Sequence, residues 1–358
     1  MSLLNLAPPT PHLPQETLTS PGGFAWWYAD ILDEKGNGIV VIWSYGLPFL
    51  PGYAAAARAG TPELPRDRPS INVSVYRERR LACYLLQELP PRHVDWRQHG
   101  WRLGESEVVW ETQDGRGALD VWLDCPLPAT RDRLTGRLRL EGAVRTAVPG
   151  QTWEGHHDWS PLLCGAAANC DLRTGSQRFR FTGSGYYDCN AGREPLQTTG
   201  IDAWAWGRVP GPTQDRIYYV LWPSDGSAPE AHGYETSPSG VLSEQTLDVA
   251  VDERRRGLAG LRHPQRLILC TTKGLWLDVA VARVVDDGPF YIRHFLRCRD
   301  GRPGIGEFCR PDRIDLAMHR PLVRMRVHRV EGDNSMWLPL FTGPRRGRLR
   351  RLFGQWRP

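Results

Sequence analysis

Lysine is almost missing from this 358-residue chain: Lys35 and Lys273 are the only two, and every other basic side chain apart from histidine is arginine. The formal net charge of +5 is spread along the sequence, which argues against the concentrated basic stripe of a nucleic-acid-binding surface. The eight cysteines include no C-x-x-C pair, and no Cys/His spacing fits a zinc pattern. They read as small buried apolar residues in a reducing compartment, and no metal is expected. No apolar run approaches the roughly 20 residues that a membrane-spanning helix needs. The Met1–Pro9 stretch lacks the basic start and apolar core of a signal peptide. A soluble, cytoplasmic protein with peripheral contact at the inner membrane fits these absences. A Walker loop, a dinucleotide fingerprint and a nucleophile elbow are also lacking, so no cofactor is expected; Gly183-Ser184-Gly185 has no helix after it to form an elbow. No short fixed-period repeat is visible, which disfavours propellers and solenoids.

What the chain does have is tryptophan, 15 residues of it, some doubled or alternating as in Trp26-Trp27 and Trp204-Ala205-Trp206. Excess tryptophan suits β-structure and large apolar cavities, although bulky core filling accounts for most of it. From Gly23 onward, short alternating segments dominate: 38–45, 71–76, 82–86, 107–112, 119–123 and 137–140, then 203–208, 216–222, 267–272, 275–284 and 290–297. Gly, Pro and Asp-Gly signals such as Asp114-Gly115 separate them, and Asp286-Asp287-Gly288 reads as another hairpin turn. One helical turn is expected at 53–58. The class is all-β, with two successive antiparallel barrels. The divisions are a Pro/Thr-rich extended leader at 1–22, a first barrel at 23–196, a second at 197–343 and a basic tail at 344–358. That tail mixes arginine with Leu349, Leu352, Phe353 and Trp356. It reads either as a surface for anionic membrane or as a solvated end.

The segment 184–192, Ser-Gly-Tyr-Tyr-Asp-Cys-Asn-Ala-Gly, follows the alternating Arg178-Phe179-Arg180-Phe181. If the strand continues, Tyr186, Asp188 and Asn190 share one face, while Tyr187 and Cys189 take the other. A carboxyl on the wall of an apolar cavity holds its proton and becomes a candidate acid. A turn rich in Asp, Asn and Gly is the competing reading. His156-His157-Asp158 invites a metal or a catalytic dyad, but adjacent strand residues face opposite ways, and structural histidines are the expectation.

The ordered set Gly22-Gly23-Phe24-Ala25-Trp26-Trp27-Tyr28-Ala29-Asp30, Pro48–Tyr53, Ile71–Tyr76, His156–Pro161, the Tyr186-x-Asp188-x-Asn190-x-Gly192 motif, Trp204–Trp206 and Pro289–Arg293 resembles the carotenoid 1,2-hydratase (hydroxyneurosporene synthase) family. The resemblance implies two lipocalin-like (calycin) β-barrel domains. It also implies addition of water to the terminal C1–C2 double bond of an acyclic carotenoid such as lycopene or neurosporene. It places catalysis on Asp188, Tyr186 and Trp159, with Asn190, Trp26, Tyr28, Trp206 and Tyr291 as substrate-binding candidates. In that chemistry a buried, protonated Asp188 donates to the alkene, and aromatic faces stabilise the tertiary cation that water then traps. Tyr186 and Trp159 are the rings nominated for the cation. Asn190 positions water, holds the carboxyl or stabilises a turn. A lipocalin-type carrier of polyenes or lipids and a related polyene cyclase are the alternatives.

Overall fold

A computed structural model describes residues 2–97, 99–128, 132–237 and 239–344; the basic tail from Arg345 onward lies outside the described residues. The chain forms two antiparallel sheets. The first takes strands from 24 to 192. Its order runs from Arg80–Glu88 through Pro69–Arg77, Gly38–Tyr45 and Phe24–Leu32 to Gln177–Gly192, Asp158–Thr174 and Arg133–Ala143, and on to Val94–Arg97. The second takes strands from 201 to 309 and repeats this plan. Its first strand, Ile201–Val209, pairs with its last, Pro303–Cys309, as Phe24–Leu32 pairs with Gln177–Gly192. In both sheets the meander ends at its fourth and fifth strands, adjacent in sequence, and in the first sheet the fourth is then covered by the C-terminal segment. These are two lipocalin-like curled sheets in succession, as the alternating segments lead one to expect.

Local sequence explains the turns and the kinks. The Ser106–Gln113/Arg116–Pro126 hairpin closes on Asp114 and Gly115, both at positive φ (49° and 74°), the geometry that matches the right-handed twist of the strands. Pro161 has no N–H for the ladder, and the register shifts between Pro161 and Leu163, where a bulge absorbs it. The expected helical turn is present at Tyr53–Arg58. Asp286 and Asp287 end the Gly274–Asp287 strand, and the turn follows them.

The leader is tied down. Asn5–Leu6 pairs in parallel with Asp158 and Trp159, a short helix spans Gln15–Thr19, and Trp27 Nε1 donates to the Pro11 carbonyl at 2.9 Å. Part of the stretch read as second barrel returns to the first sheet: Val327–Arg329 and Gly343–Pro344 both pair with Arg80–Glu88. On the way, Asp315 accepts hydrogen bonds from the N–H groups of Gly52 and Ala55 at 2.8 and 2.9 Å. The C-terminal segment is thereby clamped to the start of the Tyr53–Arg58 helix.

Alternation sorts the side chains into three cores. Trp27, Trp43, Trp101, Trp110, Tyr187 and Cys189 fill the interior of the first sheet. Ala205, Tyr218, Val220, Ile292 and Phe308 fill that of the second. The third core lies between the sheets and holds Tyr28, Trp159, Tyr186, Trp204, Trp206 and Tyr219. Two buried arginines stitch the same interface. Arg208 of the second sheet pairs with Asp30 of the first and with Asp215 at 2.6 Å, and Arg293 donates to Tyr76 Oη at 3.2 Å. Asp30 closes the Trp-Trp-Tyr-x-Asp run, so its place in that motif is an inter-sheet ion pair.

Candidate active site

The Gln177–Gly192 strand runs straight through the Tyr-x-Asp-x-Asn segment, so the strand reading holds and the turn reading falls. Asp188 lies opposite Tyr28 on one neighbouring strand and Pro161 on the other. Its face, shared with Tyr186 and Asn190, points at the second sheet and away from the interior of the first, which Tyr187 and Cys189 occupy.

Asp188 is 3% exposed and accepts three hydrogen bonds from neutral groups. Tyr186 Oη donates to Oδ2 at 2.6 Å, Trp159 Nε1 to the same oxygen at 2.8 Å, and Asn190 Nδ2 to Oδ1 at 3.0 Å. Burial pushes the carboxyl up to about 7; the bonds from Tyr186 and Trp159 pull it down, and the charges of Glu307 and Asp30 add a further upward push. Burial disfavours the anion because the low-dielectric surroundings replace water. Hydrogen bonds to the carboxylate offset part of that cost. With Asn190 Nδ2 on Asp188, Asn190 Oδ1 accepts from His157 Nε2 at 3.0 Å.

His157 is a hydrogen-bonding histidine, within what the sequence leads one to expect of the His156-His157 pair. It is completely buried, and burial lowers its pKa to about 4, so the ring is neutral. The proton sits on Nε2, as the bond to Asn190 requires. Phe24, Trp26, Trp204 and Tyr219 surround the ring edge-on. His156 points the other way and pairs with Glu194 at the surface, the opposed arrangement expected of neighbours. The alternation that separates the two histidines already puts His157 on the face of Trp159. Among the described residues no three His, Cys, Asp or Glu side chains come together in a way that could hold a metal.

An apolar chamber of about 470 Å³ opens in front of Asp188. Of the sequence candidates, Asp188, Asn190, Trp26, Tyr28, Trp206 and Tyr291 line it. Tyr186 and Trp159, nominated as cation-facing rings, instead spend their O–H and N–H on the Asp188 carboxyl and stand outside the lining. Trp204, Tyr219, Phe49 and Glu307 complete the walls without having been singled out. Glu307 had a signal, as the single charge in the apolar run Gly304–Cys309. Ile42, Leu47, Phe49 and Tyr291 also line a second chamber of about 620 Å³, which continues to Leu322, Val323 and Arg326. The two chambers share these four residues; the inner one holds the buried carboxyl, and the outer one reaches the exposed Leu322.

The family model for carotenoid hydratase CrtC matches residues 41–335. An acyclic carotenoid 1,2-hydratase of Thiocapsa roseopersicina is 28% identical over 301 residues, 78% of this chain and 66% of that protein. A hydroxyneurosporene dehydrogenase of Chlorobaculum tepidum is 26% identical over 90% of this chain and 91% of its own length. The chain thus spans slightly under two thirds of the Thiocapsa relative. Among solved structures, a putative AttH from Nitrosomonas europaea superposes with a TM-score of 0.57 at 14% identity, covering 85% of this chain and 99% of that one. CghA with Sch210972 superposes at 0.55 and 11% identity, covering 86% and 95%. Likeness at that level establishes the two-sheet fold alone.

Proposed function

Because the chain belongs to the carotenoid hydratase CrtC family, we propose that it is a hydro-lyase adding water to the terminal C1–C2 double bond of an acyclic carotenoid such as lycopene or neurosporene, with Asp188 as the acid. The observation that carries this is the buried Asp188 carboxyl, held by three neutral donors on the wall of an aromatic chamber. A carboxyl there retains its proton near neutral pH, as a general acid must. Of its four lone-pair positions, two on Oδ2 and one on Oδ1 accept hydrogen bonds, which leaves the remaining position on Oδ1 for the acidic proton.

Proton transfer to the less substituted alkene carbon forms a tertiary cation, and water then adds to give a tertiary alcohol. The chamber faces the cation with Trp26, Tyr28, Trp204, Trp206, Tyr219 and Tyr291, rings worth about 1–2 kcal/mol each when desolvated. Tyr186, Trp159 and, through Asn190, His157 hold the acid in place. One end of a linear polyene seated beside Asp188 has the remaining chain running past Ile42, Leu47, Phe49 and Tyr291, which both chambers share. A carrier would gain nothing from this carboxyl, which costs binding energy by its desolvation.

Delivery of so apolar a substrate asks for membrane contact. Met318, Leu322, Met336 and Trp337 are exposed on the segment beside the outer chamber, near the exposed Arg324. Among the described residues no helix is long and apolar enough to cross a membrane. The division into a first barrel, a second barrel and a basic tail is proposed on the same footing, with residues 327–344 assigned to the first.

Incubation of the pure protein with lycopene or neurosporene, followed by mass analysis, tests the reading. Addition of one or two waters is expected; an isomer of unchanged mass would point to a cyclase, and unaltered bound polyene to a carrier.

A further inference from the structure

The inner chamber contains a second carboxyl that the acid step leaves unused. Glu307 lies on the Pro303–Cys309 strand of the second sheet, whereas Asp188 lies on the first, and both line the chamber. Their environments are opposite. Asp188 has three neutral donors. Glu307 has a buried cation: Arg293 Nε donates to Glu307 Oε1 at 2.9 Å, while Arg293 Nη1 reaches Tyr76 Oη at 3.2 Å and Ser74 Oγ at 3.4 Å. Two carboxyls in one cavity whose surroundings differ in this way divide into an acid and a base.

Three further polar atoms gather on the same walls. Tyr28 Oη, Tyr291 Oη and Trp206 Nε1 are buried and make no hydrogen bond of good geometry, Tyr28 standing close to Asp30 and Tyr291 close to Glu307, and their rings line the chamber with Glu307. Tyr291 feels the Glu307 charge without a hydrogen bond to it of good geometry. Buried polar atoms seldom stay unpaired, and an ordered water needs two to four such partners. A carboxylate, two phenols and an indole N–H supply them on walls that they share with Asp188 and Asn190.

We propose that Glu307, with Tyr28, Tyr291 and Trp206, forms the water site of the hydration, and that Glu307 accepts the proton released when water attacks the cation. The inference rests on the hydratase reading. Asp188 gives its proton to carbon as the alkene π bond breaks. The water oxygen forms the new C–O bond, and the resulting oxonium loses a proton to Glu307. The proton then returns from Glu307 to Asp188 through solvent, so the net change is alkene plus water to alcohol. Acid and base on facing sheets address opposite faces of the cation.

The test is turnover of neurosporene or lycopene in D₂O, comparing deuterium in recovered carotenoid with hydrated product. In Glu307→Gln the cation still forms at Asp188 but reverts, so hydration falls roughly 10²-fold, the size of a lost general base, while exchange persists and the exchange-to-hydration ratio rises. Tyr291→Phe moves the ratio the same way by less. Glu307→Asp keeps the charge on Arg293 but withdraws the carboxyl by one methylene, and it carries the same expectation if Glu307→Gln does not fold. An unchanged ratio in the folded Glu307 variants, or equal loss of exchange and hydration, overturns the proposal. Asp188→Asn must lose both signals; exchange surviving in it would overturn the acid assignment instead, and a wild-type protein showing neither exchange nor hydration overturns both.

Discussion

The carboxyl of Asp188 is governed by two opposed effects, and each can be varied alone. Burial holds it at about 7, so hydration should fall with pH above about 7, as the fraction of protonated Asp188 declines. The nearby charges that also bear on it, Glu307 and Asp30, are paired with Arg293 and Arg208. Tyr186→Phe removes the 2.6 Å bond to Oδ2 and with it a stabiliser of the anion, so the falling limb should move to higher pH. A pH–rate profile of the two proteins checks both statements, and a limb moving to lower pH would refute the second. The same shift has a stability consequence. The folded state holds the Asp188 proton more tightly than the unfolded chain does, so stability is lost as pH rises from about 4 through about 7. Asp188→Asn should therefore be more stable than wild type above pH 7 by on the order of a few kcal/mol, read as a higher melting temperature. Alternation alone put Tyr186, Asp188 and Asn190 on one face. It could not reveal that Tyr186 and Trp159 hold the acid by their polar atoms, because side-chain hydrogen bonds between strands depend on register.

At the scale of strands, the two sheets follow one plan that the sequence conceals. Each pairs its first strand with its last and ends its meander at the fourth and fifth strands, yet the strand lengths and spacings differ enough to hide any repeat. Strands with clean alternation, such as Arg133–Ala143 with its Arg137-Leu138-Arg139-Leu140 run, lie where the pattern puts them. Asp248–Arg256 is different: it is an edge strand, largely exposed and rich in charge, and polar edge strands give little periodic signal while guarding against edge-to-edge pairing. The Asp30–Arg208–Asp215 cluster is the polar join between the sheets. Arg208→Met leaves two buried carboxylates without their cation, which should cost about 3–5 kcal/mol. A chemical denaturation curve within about 0.5 kcal/mol of wild type, the ordinary range for a surface change, would show that the pair is not what joins the sheets.

At the scale of the whole molecule, tryptophans fill the interior of the first sheet. The chamber before Asp188 lies at the seam, with one wall from each sheet. Two adjoining barrels were legible from composition and turn spacing; a site between them was not, because nothing local in a strand says which of its faces meets another sheet. The outer chamber reaches the exposed Leu322, and the exposed Trp337 lines a neighbouring groove with Arg324. Anionic lipid attracts basic residues by roughly 1 kcal/mol each, and the proposed docking therefore has two separable parts. Ending the chain at Pro344, which keeps the Gly343–Pro344 pairing, should remove the salt-sensitive part of cosedimentation with anionic vesicles. Leu322→Ser with Trp337→Ser should weaken the salt-resistant part. Full binding by both variants would move the contact elsewhere.

The central claim is that Asp188 supplies the proton, and one comparison tests it most directly: hydration of neurosporene or lycopene by wild type and by Asp188→Asn, with polyene binding followed in parallel by tryptophan quenching. The account predicts equal binding, within about twofold, and no hydrated product from the variant, since an amide cannot donate a proton of comparable acidity. Hydrated product from Asp188→Asn at a rate near that of wild type would contradict it.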